Sequence, residues 1–414
     1  MLWMNSQPSS TARHDSDVCV VGNGAIAKTT ALGFAQAGHR VTLLVPAASA
    51  TPPPPPPPLQ SGAGQPWDVR VYALNHTAHA LLASLKVWGA LDAGRLQTVE
   101  SMVVNGDGKQ PGDLAFDAFG AHVGALAWIV EDRNLNQALD AALKFAANVT
   151  VVTGRAVALH TGDDGASVTL DGGAVIDTRL VVGADGGQSW VRGQCDIGLD
   201  YRSYHQRAVV TNFSCARPHH GVAYQWFTSH DGIVALLPLP GDRVSLVWSA
   251  PDMLADTLMR ETLSEMAVRL AVLSEAKLGP LRPLQPETVK DVPLAVIRPH
   301  AITAPRVALV GDAAHVVHPL AGHGMNLGFA DVAQLLETIS ARETHRGIGD
   351  ERVLARYARA RNEDVLLMQL ATDGLVRLFG ADLEPVRTVR NLGLNLLNKL
   401  PSLKRRLMAH AMGK

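Results

Sequence analysis

The sequence predicts an α/β protein with a second, α+β part, and three observations carry that prediction. Near the start, an apolar run (Asp17–Val21), a glycine-rich turn and an apolar-periodic helix lead into another apolar run (Arg40–Val45), the pattern of a βαβ unit. Far along the chain, Arg306–Val310 is a short β-branched run, followed by a Gly- and Pro-containing loop and a helix from about Met325. Between them, from Tyr201 to Pro293, strand-like segments succeed one another, with a hairpin turn at Pro240-Gly241-Asp242, the grammar of an antiparallel sheet.

Composition narrows the function classes. A chain of 414 residues has room for two or three domains. A formal net charge of −1 argues against nucleic acid as the main partner, because a phosphate footprint needs a basic excess. The three cysteines, Cys19, Cys195 and Cys215, have neither metal-ligand spacing nor the look of a disulfide framework, so no metal site is expected and a reducing, cytoplasmic setting fits. Met1–Ser16 has no apolar signal-peptide core, and no run reaches the ~18 apolar residues of a membrane span. The expectation is a soluble or peripheral protein.

Taken in order, Gly22-Asn23-Gly24-Ala25-Ile26-Ala27 is a GxGxxA dinucleotide fingerprint between strand and helix. Gly22 makes the tight turn, Gly24 lets a pyrophosphate approach the helix N-terminus beside Ala25, and Ala27 takes the helix-packing position. The acid expected at the end of the second strand is missing from Leu43-Leu44-Val45-Pro46. Pro52–Pro58 are consecutive prolines and read as a solvated polyproline II insertion. Val69–Leu91 starts extended and becomes helical, with Leu81, Leu82, Leu85 and Trp88 as its apolar stripe. Glu100–Ala127 is strand-like and irregular, and Trp128–Leu143 reads as a helix with Leu135, Leu139 and Leu143 facing the core. Val149–Val152, Ser167–Leu170 and Ala174–Ile176 are short strands. Leu180–Arg192 is a buried strand ending in Gly183-Ala184-Asp185-Gly186, with Ser189 and Arg192 downstream. In the antiparallel region, Thr257–Leu273 reads as one helix. Gly349–Leu370 is a long helix, Gly374–Gly380 follows, and Val386–Met408 alternates leucines with Arg387, Arg390, Lys399, Lys404, Arg405 and Arg406. That basic amphipathic tail either packs on the body or rests on an anionic membrane or a partner.

The third motif concentrates the chemistry. Asp312 is a carboxylate at a strand's C-terminal end, Gly311, Gly322 and Gly324 allow close ligand approach, and the helix that follows offers free N–H donors at Met325 and Asn326. A flavin needs that combination, with ribityl hydroxyls for the carboxylate and an anionic reduced ring for the donors. The spelling GDAAHxxxPxxGxGxNLGxxD, from Gly311 through His315, Pro319 and Asn326 to Asp331, resembles the second flavin motif of class A FAD-dependent aromatic hydroxylases. GADGxxSxxR at Gly183–Arg192 and the IVExxxLxxAL form at Ile129–Leu139 resemble the same family, and AxxWFxxxxGIxALLPLPxxxxSLVWS within Ala223–Ser249 resembles its ubiquinone-biosynthesis branch.

The resemblance implies a glutathione-reductase-like Rossmann FAD-binding domain (residues 15–100, 128–198 and 294–345), an antiparallel-sheet substrate domain (101–127 and 199–293) and C-terminal helices (346–414). It implies FAD as cofactor, NAD(P)H or another reductant as electron donor, O2 as co-substrate and a lipid-tailed aromatic substrate. Oxygen would reach an activated ring through a flavin C4a-hydroperoxide, with Pro319, Gly322, His323 and Gly324 beside the reacting face. His323 stands where many relatives carry glutamine. Arg70 matches an arginine that the family carries before its second helix, Arg133 is the candidate for the FAD phosphate region, and Asp185, Gly186 and Arg192 would contact FAD and the nicotinamide donor. For Arg70 and Arg133 a plain surface position stays open. Other readings also stay open: a flavin hydroxylase of another aromatic substrate, a flavin-dependent halogenase (whose Trp-x-Trp-x-Ile-Pro element is not found), a flavin-dependent isoprenoid reductase, and a non-catalytic FAD-holding scaffold. The expected location is cytoplasmic, with a peripheral place at the inner face of the membrane as an extension of it.

Overall fold

The computed structural model describes residues 12–46, 65–107, 112–284, 287–318 and 323–380. The polyproline stretch Pro52–Pro58, the residues Pro319 and Gly322, and the basic tail Val386–Met408 lie outside the described residues.

Two sheets organise the chain. The first has six strands in the order Thr303–Ala304, Val307–Leu309, Leu180–Gly183, Val18–Val21, Val41–Val45 and Val149–Thr153, and every pairing except the first is parallel. Its central strands are buried along their whole length, as continuous Val/Leu runs require when both faces are covered. The opening helix Ala25–Gln36 and the motif helix His323–Ser340 pack together so tightly that a Cβ on Gly33 would sit 2.4 Å from Leu336. A four-stranded sheet (Arg13–Asp15, Val175–Thr178, Ala166–Leu170, Ala156–Thr161) flanks this body.

The second main sheet has eight strands and is mostly antiparallel. Leu199–Cys215 is its longest member and pairs with Arg243–Pro251, Leu281–Pro283 and Lys290–Pro299. Hairpins continue through Ile233–Leu239 and Val222–Phe227 to Ser101–Asn105 and Asp113–Asp117, which arrive from the earlier part of the chain. A three-stranded sheet is formed by Val71–Leu74, Ala127–Glu131 and Leu96–Val99, with Ala127–Glu131 in the middle.

Four expectations need correction. Trp128–Leu143 is not one helix: Ala127–Glu131 is the middle strand of the small sheet, and the helix is Asp132–Phe145. The Ile129-Val130 pair is buried as strand core, and the helical period begins only beyond it. Thr257–Leu273 is two helices, Asp252–Arg260 and Leu263–Leu273, separated where Thr262 and Glu265 form a reciprocal capping box. Lys290–Pro299 is an unforeseen strand, and the expected boundary between 293 and 294 falls inside it. Its prolines hid it, yet a strand lying outside the main path of the sheet tolerates missing N–H donors. The final helix is continuous from Glu351 to Gly380, rather than ending near Leu370.

Cys19 is fully buried in its strand, and burial pushes its thiol up to about 12. The final helix packs Val353 and Leu354 into the core of the parallel sheet, and its fully buried Tyr357 donates its hydroxyl to the carbonyl of Leu309 at 2.8 Å. Tyr357→Phe leaves that carbonyl unpaired and is expected to lower stability by about 1–2 kcal/mol. A urea midpoint that drops at unchanged slope is the expected reading.

Candidate functional site

The parallel sheet brings three distant motifs to one edge. Val21 pairs with Gly183 and Gly183 with Leu309, so the strands that precede Gly22, Asp185 and Asp312 end side by side. In open α/β sheets ligands bind outside those C-terminal strand ends. The loops touch each other. Gly22 has φ of +142°, and a Cβ there would meet the carbonyl oxygen of Ala184 at 2.2 Å, so only glycine fits. A Cβ on Gly311 would lie 3.3 Å from Ile26, and one on Gly328 would lie 2.9 Å from it.

Each part of this edge has the chemistry of a dinucleotide cradle. The opening helix begins at Gly24 with no side-chain cap and no acid in its first turn, and nothing crowds Gly24. Its first N–H groups therefore remain available to a phosphate. Ala25 and Ala27 are buried beneath that turn. Asp185 accepts the backbone N–H of Val191 through Oδ2 at 3.1 Å, while its buried Oδ1 has no protein partner. An orphaned acceptor is what a ligand hydroxyl would complete. Gly186 has φ of +86° and open space around it.

Asp312 stands at the end of the third strand with its carboxylate open to solvent. Protein crowds it on its other sides, and that desolvation raises its carboxyl above the ordinary value against the pull of His315 and Arg70. The structure therefore brings Arg70 and Asp312 into one field. Arg70 is exposed, with its guanidinium 5.7 Å from the ring of Tyr72, and its N–H is held by Asp68. Arg133 joins the same cluster: its N–H donates to Asp68 Oδ2 at 3.3 Å and its guanidinium to the carbonyl of Pro66 at 3.3 Å.

Two expected ligand contacts are spent inside the protein. Arg192 is buried, and its guanidinium donates to the carbonyls of Ala313 at 3.0 Å and Gly187 at 2.7 Å, so it braces the second motif against the third instead of standing free for a phosphate. Asn326 donates to the carbonyl of Ala73 at 2.8 Å and accepts the N–H of Asn75 at 2.9 Å, locking the motif helix to the strand that follows Arg70. The motif helix starts at His323 rather than Met325; Gly324 has open space around it, and Met325 packs against the apolar cluster around Leu74 and Leu135.

Several structural partners escaped the sequence reading. Lys28, buried on the opening helix, reaches Asp140 at 2.7 Å and Asn136 at 3.0 Å. Tyr72 donates to Asp132 at 2.7 Å. Asp331, legible only as the last letter of a motif, is fully buried; it accepts from Gly311 N at 2.9 Å, His315 Nε2 at 2.6 Å and Arg361 Nε at 2.7 Å. Burial alone would raise its carboxyl, but His315 and Arg361 outweigh burial and hold it below the ordinary value. No local pattern announces these pairs, because their members lie far apart in sequence. Among the described residues no group of His, Cys, Asp or Glu could hold a metal ion.

The model of the FAD binding domain family matches residues 128–368. The chain belongs to that family. Ubiquinone hydroxylase UbiL of Rhodospirillum rubrum is 35% identical, with 96% of this chain and 90% of that protein covered. The 3-demethoxyubiquinol 3-hydroxylase of Escherichia coli is 34% identical over 99% of this chain and 100% of its own length. Among solved structures, PqsL of Pseudomonas aeruginosa superposes with a TM-score of 0.72 at 22% identity, covering 92% of this chain and 100% of that one. The p-nitrophenol 4-monooxygenase PnpA of Pseudomonas putida gives 0.71 at 18% identity, covering 97% and 98%. These structures share the α/β FAD-binding fold, and the donor set at the strand ends fits FAD.

Replacing Asp331 by Asn removes the charge that balances buried Arg361 and is expected to destabilise the fold by about 3–5 kcal/mol. Because the folded carboxyl lies below its unfolded value, this stabilisation is complete above roughly pH 4 and lost as pH falls through the depressed value. The difference in melting temperature between wild type and Asp331→Asn should therefore shrink on acidification. Asp312→Ala is expected to lose FAD while keeping its far-ultraviolet circular dichroism; a variant purified with stoichiometric FAD would refute the placement.

Proposed function

We propose that this protein is an FAD-dependent monooxygenase that hydroxylates the aromatic ring of a polyprenylated phenol in ubiquinone biosynthesis, using O2 and a reduced nicotinamide donor. The observation that carries the reading is the convergence of Gly22–Ala27, Gly183–Arg192 and Gly311–Asp331 on one sheet edge, in a chain whose relatives over nearly full length are named as ubiquinone hydroxylases. The six-stranded body would be a glutathione-reductase-like FAD-binding domain, and the eight-stranded sheet would face the substrate.

In this reading FAD, when bound, supplies the redox chemistry that activates O2 and delivers one oxygen atom to the ring. The chain supplies the rest. The bare N-terminus of the opening helix holds the pyrophosphate, and Asp312 and the unpaired oxygen of Asp185 accept from ligand hydroxyls. Arg70 and Arg133 put positive charge beside this cleft from the Asp68 cluster. Pro319, Gly322, His323 and Gly324 would lie along the reacting face, and the N-terminus of the motif helix would stabilise negative charge there. The apolar lining needed to exclude water would come from the other face of the eight-stranded sheet, since Val234, Leu236, Leu246 and Trp248 are packed against the helices Asp252–Arg260 and Leu263–Leu273.

Peripheral contact with a membrane or a partner also belongs to the proposal. The final helix leaves Leu366, Leu367, Leu370 and Leu378 exposed just before the basic tail. No helix among the described residues is long and apolar enough to cross a membrane.

The test is direct. The purified protein is expected to carry FAD and to consume NAD(P)H and O2 faster when given a phenol with a short prenyl tail, yielding a product heavier by one oxygen atom. Bound flavin without substrate-dependent O2 uptake would overturn the monooxygenase reading, and absence of flavin would overturn the whole assignment.

A further inference from the structure

The segment that leaves the parallel sheet at Gly311 is stitched to the other main sheet a few residues later. Val316 and Ile297 exchange two backbone hydrogen bonds, at 3.0 and 3.1 Å. Two residues on, His318 is fully buried. It meets the long strand Leu199–Cys215 at a place where that strand is irregular: its register against Lys290–Pro299 shifts between Ser203 and Gln206. His205 in this bulge has φ of +54°, and its N–H is tied to Ser203 Oγ at 3.0 Å. A non-glycine residue in left-handed backbone is uncommon, and bulges re-aim side chains next to active sites.

Here the bulge serves His318 from both sides. Gln206 Oε1 faces the imidazole Nε2 at 3.1 Å, an acceptor that favours the proton on that nitrogen. Tyr204 meets the ring edge-on with centroids 4.8 Å apart; Arg202 stacks on Tyr204 at 5.2 Å and is ion-paired with Asp373 of the final helix. Burial lowers the imidazole to about 4, outweighing the upward pull of Asp373, so the ring is neutral at working pH. The remaining nitrogen, Nδ1, is shut away from solvent and has no hydrogen-bond partner. A buried acceptor without a donor is costly, and a ligand that donates to it removes that cost. The next residue in sequence is Pro319, first of the stretch assigned to the reacting face.

We propose that Nδ1 of His318 accepts the hydrogen bond of the substrate's phenolic hydroxyl, which makes His318 a specificity-determining residue at the seam between the two sheets. The inference rests on the aromatic-hydroxylase reading above. Gln206 sets the tautomer, and the bulge sets the ring's position. An O–H hydrogen held by an acceptor in a dry site leaves more electron density on the ring carbons ortho and para to the oxygen, where an electrophilic oxygen atom adds.

The experiment measures dissociation constants on the FAD-loaded protein, by perturbation of the flavin spectrum, for a short-prenyl phenol and for the same arene lacking the hydroxyl. Wild type is expected to prefer the phenol about five- to tenfold. In His318→Phe, which has no acceptor, the two ligands should bind within about twofold of each other. His318→Asn, whose side-chain oxygen can stand near the Nδ1 position, should recover part of the preference. Should the phenylalanine variant fail to fold, ¹⁵N NMR of wild type decides: Nδ1 should resonate as an unprotonated nitrogen and move upfield when the phenol, but not the arene, is added. Equal binding of both ligands to wild type, an unchanged preference in His318→Phe, or a protonated Nδ1 overturns the inference. Failure of the phenol to stimulate O2 uptake at all would instead strike the functional reading on which it rests.

Discussion

A single buried carboxylate ties the architecture together. Asp331 has no solvent and three donors, drawn from the turn at Gly311, from His315 and from Arg361 on the final helix. A charge so placed is tolerated only when every partner is present, which makes the arrangement strict. It holds the backbone N–H of Gly311, the residue before Asp312, at the point where the third motif leaves its strand. It also fixes the motif helix against both that turn and the final helix. Asn326, on the same helix, carries the constraint onward to the strand behind Arg70.

The third motif then works as a bridge between two sheets of different character. The parallel sheet provides an edge of strand ends and a bare helix N-terminus, features that suit phosphates and hydroxyls. The antiparallel sheet provides apolar depth and, through the bulge in its longest strand, a polar point at His318. Residues 311–318 run from one to the other, anchored at Asp331 on the first side and at Ile297 and Gln206 on the second. Cofactor and substrate chemistry can therefore meet along one stretch of chain, and neither sheet needs to supply both.

Much of this was legible from the residues. The βαβ opening, the strand before Asp185, the strand before Asp312 and the hairpin at Gly241 all follow from short-range periodicity and turn chemistry, and the structure has each of them. The capping box of Thr262 and Glu265 is local too, and it starts a second helix inside the stretch Thr257–Leu273 that apolar periodicity alone reads as one. The strand Lys290–Pro299 was not readable in the same way, since its prolines speak against a strand and only its place beside Leu199–Cys215 explains why they are tolerated. Arg192 and Asn326 have ligand-binding side chains by type, yet both face protein carbonyls; a side chain's chemistry is local, but what it faces is not.

By itself the sequence determined the kind of fold, the three motifs and the cofactor class, because each depends on patterns within one continuous stretch of chain. The tertiary structure alone decided which groups remain free for ligands. Gly22 abuts Ala184, Lys28 meets Asp140, Asp331 meets Arg361, and His318 finds Gln206 while its other nitrogen finds nothing. Those outcomes rest on contacts between segments far apart along the chain, and burial sets their energies, a quantity that exists only once the chain has closed around them.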